Sequence, residues 1–220
     1  MRAKLLTEFV GTFVFLSVIA LSAQAGSLAP LAIGIALAAM VYMGGHVSGA
    51  HYNPAVSFGL YLRGIISPAT MALYWVSQLA AGSLAFVLAF LIGGQSRGIH
   101  PGAGVYWYSA LTAEILLTTA LVLVVLNVAA TKETAGNSYY GLAIGFTVAA
   151  GAFVVGPISG AAFNPAVGFG ATLGAALFAR GSWADLWLYV VGPLAGAALG
   201  AGVHRLQARP YPVLPEASER

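Results

Sequence analysis

A twelve-residue motif occurs twice in this chain, and this duplication is the sequence feature that most constrains the fold. Residues 48–59 read SGAHYNPAVSFG, and residues 159–170, which lie 111 positions later, read SGAAFNPAVGFG, with nine of twelve positions identical. In each copy Asn-Pro-Ala predicts the start of a helix, because asparagine is a preferred N-cap and proline suits the first helical position. The duplication therefore predicts two similar loop-to-helix turns in a protein made of two repeats.

The composition indicates that these repeats lie in a membrane. The chain is 60% hydrophobic and only 7% charged, whereas a soluble protein is about a quarter charged. Its few basic residues are spread over loops and chain ends, so the positive net charge of +3 predicts no nucleic-acid binding. The absence of cysteine excludes disulfides and thiol chemistry.

Six apolar segments are long enough to span a bilayer, which requires about 20 residues for roughly 30 Å of hydrocarbon. They are residues 5–25, 29–46, 69–92, 106–130, 138–157 and 184–205. Two other apolar segments, 53–62 and 164–178, follow the Asn-Pro-Ala turns, and the first would rise only about 15 Å as a helix. Because backbone can break at membrane depth only inside protein or beside a wet cavity, we predict two re-entrant half-helices.

The duplication extends into the predicted spans, since residues 7–12 (TEFVGT) correspond to residues 113–118 (AEILLT). Each repeat, about 1–95 and 106–205, therefore holds three spans and one half-helix, and three is an odd number. The second repeat must enter the membrane from the opposite face. We predict an all-α membrane protein with six transmembrane helices and two half-helices in an inverted repeat, forming one domain over 1–205 with a polar tail over 206–220.

The basic residues predict the orientation of the chain. We expect the protein to lie in the cell inner membrane with both termini in the cytoplasm. Seven basic residues then face the cytoplasm and two face outward, as the positive-inside rule requires. The inner set is Arg2, Lys4, Arg63, Lys132, Arg205, Arg209 and Arg220, and the outer set is Arg97 and Arg180.

The two half-helices should meet with their N-termini near the membrane midplane. The side-chain oxygens of Asn53 and Asn164 cap their own helices, so the amide NH2 groups are left to point at the centre as donors. Each helix start adds a field equivalent to roughly half a positive charge. A water at this point would offer its oxygen to both asparagines, which interrupts a proton-conducting chain and repels cations. Backbone carbonyls of 49–52 and 160–163 are the expected acceptors.

The chain is similar to the aquaporin family, also called major intrinsic proteins. The similarity rests on residues 8–13 (EFVGTF), 45–55 (GHVSGAHYNPA) and 164–166 (NPA), with Gln78, Glu114 and Pro157. It implies a homotetramer in the lipid bilayer, one pore per subunit, no cofactor, and passive transport of water or small uncharged solutes. The pore centre is then formed by Asn53, Pro54, Ala55, Asn164, Pro165 and Ala166.

The chain departs from the family pattern at the residue after the second Asn-Pro-Ala. Most members have arginine there, whereas this chain has Val167. The resemblance assigns the remaining positions of the outer selectivity filter to Ile33, Ala152 and Ala161. A filter without charge, donor or aromatic ring should be wide and apolar, and should admit solutes of the glycerol or urea class. Some bacterial members that lack this arginine are associated with arsenic resistance. The resemblance to them implies that metalloid compounds could also be transported solutes.

Four titratable side chains lie beside the duplicated motif or inside the spans. We expect Glu8, Glu114, His46 and His51 to support the two loops, the histidines by bonding to loop carbonyls, and we expect no metal site. Three alternatives remain open. The carboxylates could couple transport to an ion gradient in a secondary transporter, the histidines could sense pH or bind metal, or Ser48 could be the nucleophile of an intramembrane hydrolase.

Overall fold

The computed structural model describes residues 1–94, 96 and 98–207, and this part of the chain contains eight α-helices and no strand. The predicted residues Arg97, Arg209 and Arg220, and the tail from residue 208 onward, lie outside it. The helices are α1 (Arg2–Leu21), α2 (Ala29–Ser48), α3 (Pro54–Leu62), α4 (Pro68–Gly93), α5 (Trp107–Val125), α6 (Tyr140–Ser159), α7 (Pro165–Phe178) and α8 (Leu188–Gln207).

The six long helices correspond to the six predicted spans, and α3 and α7 are the predicted half-helices. Two predicted ends differ from the structure by four residues, since the last span begins at Leu188 rather than at residue 184 and the first ends at Leu21. The first span does not continue to residue 25, because a 3-10 helix at Ser22–Leu28, broken where Gly26 has a φ of 55°, joins α1 to α2. The fourth span reaches residue 130 as predicted, but it is not α-helical throughout. Its last residues, Leu126–Ala130, form a π-helix, and the Thr131 hydroxyl donates to the Leu126 carbonyl, 2.9 Å away, at the wider spacing of that turn.

Four helical segments in the described chain are long and apolar enough to cross a membrane: Arg2–Ser48, which contains both α1 and α2, Pro68–Gly93, Trp107–Ala130 and Tyr140–Ser159. The helix α8 has 20 residues, as many as Tyr140–Ser159, but it is not among these four segments. Its sequence contains four glycines, a histidine and an arginine, and these residues lower its hydropathy. The spans therefore differ in composition even though the repeats share one architecture.

The two repeats interlock through their half-helices. Within the repeats, α1 packs against α2 and α4, and α5 packs against α6 and α8. Between the repeats, α2 packs against α6, while α3 packs against α8 and α7 packs against α4. Each half-helix is thus held by the third long helix of the opposite repeat, and neither repeat completes its own re-entrant segment alone.

Glycines at helix contacts permit this close packing. A Cβ atom added to Gly34 of α2 would lie 2.6 Å from the Gly145 carbonyl oxygen of α6. A Cβ on Gly196 of α8 would lie 2.5 Å from the Ile115 carbonyl oxygen of α5. Both neighbours are backbone atoms, so the contact leaves no room for a side chain and brings the paired helices together.

Candidate functional site

The half-helices α3 and α7 begin at the two predicted caps. Asn53 Oδ1 accepts a hydrogen bond from the Ala55 amide at 2.8 Å, and Asn164 Oδ1 accepts one from the Ala166 amide at 2.9 Å. Both asparagines have extended backbone and are followed by proline. Each side-chain oxygen is therefore occupied by its own helix, as the sequence predicted, and only the NH2 group of each amide is left to act elsewhere.

The asparagine amides also tie the two repeats together. Asn53 Nδ2 donates to the Phe163 carbonyl at 2.8 Å, and Asn164 Nδ2 donates to the Tyr52 carbonyl at 2.9 Å. The sequence predicted that the whole NH2 group would face the centre. In the structure one of its two hydrogens is used in this crossed pair, because the residue before each asparagine lies against the opposite asparagine. One N–H per amide is then available to a molecule in the pore.

Glu8 and Glu114 hold the two loops from behind. Glu8 accepts four hydrogen bonds, from the Ser48 hydroxyl, the His51 and Tyr52 amides and Gln78 Nε2, at 2.6 to 2.9 Å. Glu114 accepts three, from the Ser159 hydroxyl and from the amides of Ala162 and Phe163, at 2.7 to 3.0 Å. Both carboxylates are fully buried. These contacts fit the loop-supporting role expected from the sequence rather than a site for a coupling ion.

The two loops have an unusual backbone that these carboxylates stabilise. Ala50, Tyr52, Ala161 and Phe163 have φ values of 50° to 56°, in the left-handed region that costs an L-residue about 1–2 kcal/mol. His51 and Ala162, which separate these residues, do not have a positive φ, so the backbone conformation changes from one residue to the next. Within the described residues no hydrogen bond reaches the carbonyls of residues 49–51 or 160–162, so these groups are available as acceptors.

Two tyrosines, which the sequence reasoning did not single out, complete the support. The hydroxyl of Tyr74 in α4 donates to the Ser48 carbonyl at 2.8 Å, and that of Tyr189 in α8 donates to the Ser159 carbonyl at 2.7 Å. Both rings are buried. A Leu-Tyr pair at residues 73–74 and again at 188–189 is the sequence signal that could have identified them.

The first repeat has a polar network that the second lacks. His51 Nδ1 lies 2.9 Å from Ser57 Oγ, which also accepts from Gln78 Nε2 at 3.1 Å. At the corresponding positions the second repeat has Ala162, Gly168 and Pro193. The side chains of these residues cannot form hydrogen bonds. The predicted bond from His51 to a loop carbonyl is therefore replaced by a bond to a hydroxyl.

His46 does not support the loop as the sequence analysis expected. It lies in the last turn of α2 with an exposed side chain, and no hydrogen bond joins that side chain to another described residue. The last turn of α2 presents Ser48, rather than His46, to the buried side, because the two positions differ by about 200° around a helix of 3.6 residues per turn.

The contacts of Ser48 argue against the hydrolase alternative. Its hydroxyl donates to Glu8 and accepts from the Ala50 amide, while His51 contacts Ser57. Ser48 therefore has no histidine partner among the described residues, whereas a serine nucleophile requires an adjacent general base. Likewise, no group of three or more His, Cys, Asp or Glu side chains that could hold a metal is found in the described chain.

One cavity joins the asparagines to the predicted filter. It has a volume of about 290 Å³ and is lined by Asn53, Asn164 and the four filter residues Ile33, Ala152, Ala161 and Val167. These four come from α2, α6, the loop before α7 and α7 itself. Gly98 and Ile99, from the segment between α4 and α5, also line it and were not expected from the sequence. The fold thus brings residues far apart in sequence to one passage.

The sequence profile of the family described as "Major intrinsic protein" matches residues 1–204, which is nearly the whole described chain. This chain belongs to the major intrinsic protein family. The family match agrees with the inverted repeat, the paired Asn-Pro-Ala caps and the cavity between them. The protein is accordingly a passive transmembrane channel for water and small solutes, and it is not an enzyme.

Plant relatives and a parasite channel show how widely this family resemblance extends. The chain is 38% identical to aquaporin TIP2-3 of Zea mays over 213 residues, covering 90% of this chain and 84% of that protein. It is 37% identical to a probable aquaporin TIP-type alpha of Phaseolus vulgaris, covering 98% and 86%. The X-ray structure of the aquaglyceroporin from Plasmodium falciparum superposes with a TM-score of 0.77 at 20% identity, covering 91% of this chain and 95% of that chain. That structural likeness shows the shared fold.

Proposed function

We propose that the channel conducts small uncharged solutes of the glycerol, urea or metalloid-hydroxide class, as well as water, through a filter that has no arginine. The observation that carries this proposal is the place of Val167. It lines the same cavity as Ile33, Ala152 and Ala161, and it lies three residues after the Asn164 cap. Where most relatives are expected to have a guanidinium group, this passage has two methyl groups.

The chemistry of the cavity wall suits an amphipathic neutral solute. No described lining residue is an Asp, Glu, Lys or Arg, and the polar side chains among them are Ser22, His51, Asn53 and Asn164. A polyol could keep its hydroxyl groups hydrogen-bonded to the unpaired carbonyls of residues 160–162 while its carbon atoms contact Ile33, Ala152 and Val167. Such a wall replaces part of the water around the solute. Because the wall has no charged side chain, it does not bind the solute so tightly that the solute stays in the pore.

The buried carboxylates support a passive route over a coupled one. Glu8 and Glu114 are occupied by loop donors and are not among the lining residues of the cavity. A coupling ion would need to displace hydrogen bonds that hold the strained loops. We therefore propose a flux that follows the solute gradient alone, rather than the gradient of Na⁺ or protons.

Proteoliposome shrinkage assays with water, glycerol, urea and arsenite test the solute class. The parent should pass the three solutes as well as water, and Val167→Arg should retain water flux while reducing flux of the solutes. Val167→Met is the matched control, because it adds length without charge and separates narrowing from electrostatics. An identical solute profile for the parent and the arginine variant would refute the proposed role of this filter.

We also propose that the protein is a homotetramer in the cell inner membrane with both termini and Arg63 on the cytoplasmic side. The family resemblance and the distribution of basic residues support this arrangement. Cross-linking in native membranes tests the subunit number, and protease protection of a tag added to the C-terminus tests the orientation. If protease added outside intact cells cleaves the tag, the proposed cytoplasmic position of the C-terminus is wrong.

A further inference from the structure

The inverted repeat gives each residue of the outer filter a counterpart in the other repeat. The helices α2 (Ala29–Ser48) and α6 (Tyr140–Ser159) differ by 111 positions, as the two copies of the duplicated motif do. The outer filter consists of Ile33, Ala152, Ala161 and Val167. The same offset gives their counterparts, here called the inner ring, which are in the same order Ile144, Val41, Ala50 and Val56. Because the repeats enter the membrane from opposite faces, the inner ring belongs on the opposite side of the pore centre.

The inner ring lies where the cavity that contains the outer filter meets a second cavity. The second cavity has a volume of about 410 Å³, and both cavities are lined by Ala50, Val125 and Ile144. Val56 lines the cavity with the outer filter, and Val41 lines the second one. Two members of the inner ring are therefore shared by the two cavities, and the other two lie on either side of the boundary. A solute that crosses from one cavity to the other must pass this ring.

The contact between α2 and α6 holds the isoleucines of the two rings in place. A Cβ on Gly34 would lie 2.6 Å from the Gly145 carbonyl oxygen, and a Cβ on Gly145 would collide with the Gly34 carbonyl oxygen. These glycines follow Ile33 and Ile144 directly in the sequence and are themselves counterparts. Because backbone meets backbone at this contact, the helices are closely packed beside both rings.

The inner ring has a larger side chain than the outer filter at one of its four positions. Three of the four pairs have the same residue type, and one of these pairs is Val56 and Val167, because the second repeat has no arginine there. In the fourth pair, α2 has Val41 where α6 has Ala152. Valine has two more carbon atoms than alanine, so the inner ring contains more side-chain volume than the outer filter.

The exposure of matched side chains supports the same conclusion independently. Ala50 and Ala161 have the same residue type and φ values of 51° and 56°, yet Ala50 is only 7% exposed while Ala161 is half-buried. Likewise, Ile144 is 5% exposed and Ile33 is half-buried. Since the residue types are equal within each pair, the passage leaves less free space beside the inner ring than beside the outer filter.

We propose that the inner ring is a second filter and that it, rather than the outer filter, sets the largest neutral solute that the channel passes. The unpaired carbonyls of residues 49–51 belong to the loop that carries Ala50. A polyol can therefore keep hydrogen bonds to this loop while its carbon atoms contact Val41 and Ile144. This role rests on the proposed function, since a ring that selects among polyols needs an outer filter that admits them.

Vesicle shrinkage with polyols of increasing length tests the inner ring. The parent should pass glycerol faster than erythritol, which has one more carbon atom. Val41→Ala gives the inner ring the same residue types as the outer filter. It should raise the ratio of erythritol to glycerol permeability by about tenfold, the lower end of the discrimination that one methylene gives in an apolar site. Water permeability of the same vesicles corrects for the number of folded channels.

Further variants keep the test independent of how well Val41→Ala folds. Ala50→Gly removes a methyl group from the inner ring at a positive φ that glycine adopts readily, so it should also raise the ratio. Ala161→Gly removes the same group from the outer filter and should raise the ratio less. Adding Ala152→Val to Val41→Ala moves the larger side chain to the outer filter and should restore the parent's ratio. Gly202→Ala, where a Cβ has nothing within 4 Å, is the control for reconstitution.

An unchanged ratio in both Val41→Ala and Ala50→Gly would overturn the proposal, and so would a larger rise in Ala161→Gly than in Ala50→Gly. Failure of the proposed function gives a different result, because the parent would then pass water but neither glycerol nor urea. The inner ring is still tested in that case, since Val41→Ala should then admit glycerol. A Val41→Ala variant that passes water but excludes glycerol would refute the role of the ring.

Discussion

Asn53 and Asn164 each cap their own half-helix and at the same time bond to the residue that precedes the other asparagine. The centre of the pore is therefore a closed arrangement of four hydrogen bonds, in which neither asparagine can move independently. Because each oxygen is held by its helix, a water molecule between them meets N–H groups at the positive ends of two helices. We therefore expect this arrangement to orient water and to disfavour cations.

Asn53→Asp tests this arrangement, since aspartate keeps the capping oxygen but loses the donor. The Phe163 carbonyl is left without its partner, and we expect the free energy of unfolding to fall by about 1–3 kcal/mol. The negative charge also opposes the field of the helix starts, so proton and cation leak should rise. SDS titration measures the stability, and a pH-sensitive dye in vesicles measures the leak. Asn164→Asp should behave alike, and a parent-like leak in both would contradict the electrostatic account.

Glu8→Gln and Glu114→Gln test the support of the loops. The new amide nitrogen faces a backbone donor, Tyr52 N–H or Phe163 N–H, which loses its acceptor in a buried site. We expect each substitution to lower the free energy of unfolding by about 2–3 kcal/mol. Glu133→Gln, in an exposed turn, is the control and should change little. Normal stability with a changed response to Na⁺ or proton gradients would favour the coupled-transporter alternative.

Val167→Arg should also reduce proton leak. A unit charge acts with about 4 kcal/mol at 4 Å for an effective dielectric constant of 20, which is enough to strengthen exclusion of a cation by about a thousandfold at equilibrium. The measurement is dye acidification under an imposed potential, with Val167→Met as the uncharged control. Equal leak in the parent and the arginine variant would show that the central dipoles provide the whole barrier.

Two glycines of α8 provide a matched pair for helix packing. Gly196→Ala places a methyl group against the Ile115 backbone, whereas a Cβ on Gly202 has nothing within 4 Å. We expect Gly196→Ala to cost about 1–3 kcal/mol through overpacking, while Gly202→Ala should be neutral or stabilise by up to about 1 kcal/mol because alanine favours helix. SDS unfolding of both variants checks the difference. Equal effects would mean that α5 and α8 are less closely packed than the structure shows.

Local patterns were sufficient for the helices and the caps. The spans follow from runs of apolar residues, and the half-helices follow from Asn-Pro-Ala, because an N-cap depends on only a few consecutive residues. The errors lie where a distant partner decides. His46 was expected to support the loop, but Ser48 does so through Glu8, 40 positions away, because the packing of α2 against α1 determines which face of α2 is buried.

The sequence by itself determined that this chain is a membrane protein of two inverted repeats with matched Asn-Pro-Ala turns, since composition and internal similarity are properties of the chain alone. Only the tertiary structure decided what those turns contact. The crossed bonds join Asn53 to Phe163 and Asn164 to Tyr52 across 110 and 112 positions, and the Arg63–His204 contact spans 141. Such bonds depend on the packing of each half-helix against the opposite repeat. This packing cannot be predicted from a short stretch of sequence.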